Sequence, residues 1–162
     1  MHPEPLLIRG TALLAFWFYV AAVILLIRWK PTRWKQARLL WTLGCAVFLL
    51  HVALAFQFVH AWSHTAAFEH TAGQTAELIG LHWGGGLYLN YAFTLLWVWE
   101  AARWWKLGDA FRTRNAVQGF LLFMFLNGAV VFAAGAGRWM GLVGFAVLGS
   151  VWWFRRKSAD SP

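Results

Sequence analysis

HVALAFQFVHAWSHTAAFEHTAGQTAELIGLHWGGGLYLN, the stretch from His51 to Asn90, carries five of the six histidines, no Lys or Arg, and the junction between two long apolar runs. It reads as the end of one membrane helix, an outward loop over residues 61–80, and the start of the next helix. The rest of the chain is organised around that excursion.

Working outward, 60% of the 162 residues are apolar and 12% charged, whereas soluble chains average roughly half and about a quarter. Apolar runs near the ~20 residues needed to cross ~30 Å of hydrocarbon cover about 11–27, 39–60, 81–99, 116–134 and 139–154. They lack the alternation of barrel strands. The expected fold is an all-α integral membrane protein, one domain built as a bundle of five transmembrane helices. The core of the last run, Met140 to Phe154, rises only about 22 Å and needs Trp139 or a snorkelling Arg155 to reach both interfaces. The first run is followed by its basic cluster rather than preceded by it, which marks an anchor and not a cleaved signal peptide.

Charge sets the expected orientation. Of 14 Lys and Arg, five lie in Arg28 to Arg38, four in Arg103 to Arg114, and three are Arg155, Arg156 and Lys157. Five crossings gather those twelve on one side and leave Arg9 and Arg138 on the other, so the positive-inside rule puts the N-terminus outside and the C-terminus in the cytoplasm. A bacterial inner membrane is the expected location. This distribution accounts for the net charge of +8 without nucleic acid as a partner; the lipid bilayer is the expected one. The segment RWKPTRWKQAR, broken at Pro31, is expected to lie on the anionic inner leaflet. Twelve of thirteen tryptophans fall near span ends, the pattern of an interfacial aromatic belt. The single Cys45 rules out an intrachain disulfide and a Cys-x-x-Cys pair.

Two polar groupings are candidate sites. Counting from the inner ends of their spans puts His51, Asn90 and Asn127 at roughly 18, 15 and 16.5 Å, one polar residue from each of three helices near the midplane. Such groups bond to each other or mark a binding or proton-handling site. At the outer surface, a second span continued past residue 60 places Gln57, His60 and His64 on one face. His60 and His64, completed by Glu69, His70 or His82, then form a candidate site for a divalent metal ion. His60 and His82 are the pair matched in height for a haem b, with Gly84-Gly85-Gly86 leaving room for a flat ring. In the outer loop, Phe68, Ala72, Ala76 and Ile79 recur at helical spacing, the mark of a short interfacial helix; Gly73 weakens it.

No catalytic motif appears. Three functions fit the pattern: a non-enzymatic accessory or interaction subunit working through the outer His-rich loop on a membrane protein partner or as a homo-oligomer; a metal- or haem-binding electron-transfer protein; and a small transporter centred on His51. The last lacks any visible inverted repeat.

Overall fold

The computed structural model describes residues 4–28, 33–108 and 115–159, with side chains from residue 6 to residue 158. Within those residues it is all-helical: α1 Glu4–Arg28, α2 Trp34–Phe58, α3 His64–Ile79, α4 Gly86–Leu107, α5 Asn115–Leu126 continued by a π turn Asn127–Val131, and α6 Ala136–Ala159. Two of them, Leu6–Arg28 and Trp34–Phe58, are long and apolar enough to cross a membrane. The Pro31 break, Trp29, Asp109 and residues 110–114, which the sequence reading expects in inner loops, lie outside the described residues.

Contacts give the helix directions. Ile8 meets His51 and Ala15 meets Gly44, so α1 and α2 are antiparallel. Trp34 Nε1 donates to the carbonyl of Gly108 at 3.0 Å and Phe56 stacks on Tyr91, so α2 and α4 are antiparallel too. Tyr19 meets Gln118 while Phe16 meets Phe125, which turns α5 against α1. Leu13 faces Gly137 and Phe16 faces Gly144, so α6 runs parallel to α1. The five long helices therefore alternate in direction. Arg28, Arg33, Lys35, Arg38, Arg103, Lys106, Arg155, Arg156 and Lys157 fall at one end; α3, Arg9 and Arg138 fall at the other.

The core is aromatic. Trp97 lies 5.3–6.2 Å, centroid to centroid, from Tyr19 of α1, Trp41 and Phe48 of α2, Phe93 of its own helix and Phe125 of α5. Edge-on and tilted rings of this kind each add about 0.5–1.5 kcal/mol beyond the area they bury. Trp34, Trp41, Trp97 and Trp104, assigned above to the belt, are buried in this core. Depth along a helix does not say which way a ring faces, and these four are rotated toward other helices. Trp99, Trp105, Trp139, Trp152 and Trp153 are exposed at the ends, as a belt requires.

The helix bounds also differ from the expected ones. At the cation-rich end α2 begins at Trp34 and α4 runs to Leu107, because Trp and Arg side chains there pack and pair rather than loosen into loop. Arg38 stands 4.1 Å from the Trp105 ring centre and Trp105 Nε1 donates to Thr42. Helix α6 starts at Ala136, so its short apolar run sits inside about 36 Å of helix. At the other end α2 stops at Phe58, and residues 81–85 are not helical. The expected helix in the 61–80 loop is present as α3 and runs through Gly73; it buries Ala67, Ala72 and Thr75.

One close approach fixes α6 on the π turn. A Cβ on Gly141 would collide with the carbonyl oxygen of Ala129, whereas one on Gly149 would meet open space. Gly141→Ala should cost about 1–3 kcal/mol through overpacking and lower the unfolding temperature in detergent, while Gly149→Ala should not lower it.

Candidate functional site

The histidine-bearing end is built from the close of α2, a tight turn, α3 and the glycine loop that opens α4. The turn is abrupt: Ala61 and Trp62 have φ of 46° and 58°, a left-handed conformation that costs a non-glycine residue of order 1–3 kcal/mol. Local bonds hold it. Trp62 N–H donates to the carbonyl of Phe56 at 2.9 Å and Ser63 N–H to that of His60 at 2.8 Å. The Trp62 indole donates to Gln57 Oε1 at 2.8 Å. Ser63 then caps α3 by accepting from Ala66 N–H, and Gly80, at φ 72°, ends it.

This turn corrects the expected histidine geometry. Because α2 ends at Phe58, His60 and His64 do not share a helix face; His60 lies in the turn and His64 begins α3. On α3 itself His64, Glu69 and His70 point in three directions, since successive residues rotate by 100°. His60 meets His70, ring centres 5.2 Å apart. His64 Nδ1 shares a hydrogen bond with the Tyr91 hydroxyl at 3.1 Å. His82 Nε2 lies 3.7 Å from Glu69 Oε2, with both side chains largely exposed. Among the described residues no three His, Cys, Asp or Glu side chains converge on a point where a metal ion could sit. His60, His64, His70, His82 and Glu69 are therefore divided into pairs instead of forming one ligand set.

Nor do the residues present fit a haem between His60 and His82. The gap left by the three glycines is filled by protein: a Cβ at Gly84 would strike the ring and carbonyl of Phe68, one at Gly85 the Trp83 indole, and one at Gly86 the Thr71 methyl. Their missing side chains admit α3 and Trp83, the close approach by a neighbour that such a triplet permits.

The midplane grouping is likewise not assembled. His51 donates from Nδ1 to the carbonyl of Ile8 at 2.9 Å, beside the Thr11 hydroxyl. Asn127 donates to the carbonyl of Phe123 in its own helix, and Asn90 is exposed. No hydrogen bond joins the three among the described residues. The cation-rich ends of α2 and α4 extend beyond the bounds from which depth was counted, so His51 and Asn90 each stand about 25 Å from those ends, nearer the α3 end than the middle.

The residue that sequence reasoning misplaced is Glu100. Left just outside the apolar run 81–99, it is 0% exposed on α4. Its Oε1 pairs with Arg103, and its Oε2 has no hydrogen-bond partner. The signal was present: Phe93, Trp97, Glu100 and Trp104 recur at i, i+4, i+7 and i+11, one continuous helical face.

Chemically, this end offers stacked aromatic and imidazole rings and no assembled catalytic group among the described residues. Comparison with known proteins finds no matching family model, no matching curated protein and no matching solved structure.

One titration follows from the geometry. Partial burial, and then the charge of nearby His70, hold the His60 imidazole below its ordinary range. Nδ1 of His60 is buried without a hydrogen-bond partner. A base whose folded value is depressed takes up its proton more readily when unfolded, so stability is fully present above the ordinary value near 6.5 and is lost as pH falls from there through the folded value. Nuclear magnetic resonance titration should show His60 protonating below the ordinary imidazole range on acidification. His60→Phe should flatten the loss of thermal stability between pH 7 and pH 5.

Proposed function

We propose that this chain is a five-span protein of a bacterial cytoplasmic membrane and acts as a non-enzymatic interaction subunit. Its cation-rich end faces the cytoplasm and its α3 end faces outside. Three features support the membrane part. Two helices have the length and composition to cross. The alternating directions carry all five long helices from one end to the other. Large apolar side chains stand exposed along them, Leu95 at 71% for example, where a lipid environment removes the cost that water would impose. On this reading twelve cations lie inside.

One observation carries the interaction role. Leu78 and Ile79 at the end of α3 and Leu81 and Trp83 in the loop after it are all exposed, Ile79 at 70%, within a short segment flanked by Glu77 and His82. An apolar face with a polar rim, on the one helix that the core does not need, has the make-up of a protein contact.

A photo-crosslinking residue at position 79 in native membranes should yield a discrete protein adduct, while the same residue at position 95 should label lipid alone. If position 79 also labels only lipid, the interaction role is wrong. Topology is tested separately: in a Cys45→Ala background, Gln74→Cys should react with an impermeant maleimide on intact cells and Lys106→Cys should not. The reverse pattern inverts the orientation, and reaction at both removes the five spans.

A further inference from the structure

The turn that leaves α2 sets two imidazoles beside each other at the α3 end. His60 lies two residues past the end of α2, and its backbone is fixed on both sides. Its N–H donates to the carbonyl of Ala55 at 3.2 Å, and its carbonyl accepts from Ser63 N–H at 2.8 Å. Its ring stands against Phe56 of α2, centres 5.5 Å apart, and against His70 of α3, centres 5.2 Å apart with the planes at 68°. His70 itself is exposed, so the pair has one sheltered member and one open to water.

Two imidazoles on one tetrahedral ion, at the usual metal–nitrogen length of about 2.0–2.1 Å, bring their ring centres to about 5 Å from each other. His60 and His70 already stand at that spacing. Three protein ligands do not converge among the described residues, but an open site takes water in the positions that the protein leaves. Nδ1 of His60 has no hydrogen-bond partner, so no other protein group competes for its lone pair. Burial and the neighbouring His70 hold His60 below the ordinary imidazole range, which keeps it in the neutral form that a metal requires.

The surroundings favour a cation. The stretch from His51 to Asn90 contains Glu69 and Glu77 and no Lys or Arg, and the C-terminus of α2, the negative end of its dipole, points at the turn. Arg138, at the same end of the bundle, donates to the carbonyls of Ala133 and Val131.

We propose that His60 and His70 bind one divalent transition-metal ion of the zinc and copper class, with water completing its coordination. Imidazole nitrogen suits these ions, whereas calcium and magnesium take oxygen. The bound ion ties α3 to the end of α2 and so steadies the exposed apolar edge that α3 carries. The site lies in the turn and on α3, and it stands whether or not the interaction role given above holds.

The test uses the full chain without a polyhistidine tag, stripped with chelator in neutral detergent and titrated with Zn2+ by calorimetry. Wild type should take up one ion per chain, and its unfolding temperature should rise with the metal, because a ligand of the folded state stabilises it. H70Q, at an exposed position, should weaken binding by about ten-fold or more, at least what losing a ligand's supporting contact costs, and should abolish the thermal shift. H60Q should do the same. E69Q/H82Q, which removes the other pair at this end, should bind as wild type does. Pulsed electron paramagnetic resonance of bound Cu2+ should show two imidazole nitrogens in wild type and one in H70Q. No uptake by wild type, unchanged uptake in H70Q, a loss in E69Q/H82Q as large as in H70Q, or full displacement by an equal concentration of Mg2+ would each overturn the site. Helical circular dichroism equal to wild type is required of each variant, and H70Q alone decides if H60Q lacks it.

Discussion

The packing of one indole ring holds this molecule together. Trp97 is fully buried and sits among rings from α1, α2 and α5, so four of the five long helices meet on a single side chain. In lipid, apolar surface gains nothing by leaving its surroundings, and helices associate through close van der Waals contact. Large flat rings supply much of that contact per residue. Glycine supplies the complement: Gly44 lies where a Cβ would press on Trp97, Phe18 and the Ala15 carbonyl, and it lets α2 approach both neighbours at once.

The ring core also explains the buried polar atoms. The indole N–H groups of Trp41 and Trp97 and one carboxylate oxygen of Glu100 are buried without hydrogen-bond partners. Each such group costs about 1–3 kcal/mol. They are the price of filling the centre with tryptophan rather than leucine, and they lie toward the cation-rich half. The Glu100 charge is held by Arg103 one turn along, itself 4.7 Å from the Trp99 ring centre.

The α3 end follows from how the core closes. Once α2 and α4 are fixed by Trp41, Phe48 and Trp97, their ends far from the cation-rich side must be bridged, and α3 with its two turns does so. The left-handed Ala61 and Trp62 turn the chain out of α2, and the glycines at 84–86 let α3 lie against the start of α4. Histidines spread around a bridging helix reach different neighbours, which is why they pair with Tyr91, His70 and Glu69 separately. An exposed apolar edge is what remains of α3 once its inner face is used.

Composition and periodicity alone were sufficient for the helical class, the apolar runs, the segregation of cations and the extra helix at Phe68 to Ile79. These depend on residue type along one dimension, where spacing and charge speak directly. Rotation and register were not legible. Whether Trp41 faces lipid or Tyr19, whether His51 meets Asn90 or Ile8, and whether Glu100 ends a helix or sits inside one all turn on which face a helix presents to its neighbours. That choice is made when rings of four helices are packed together, and only the tertiary structure contains it.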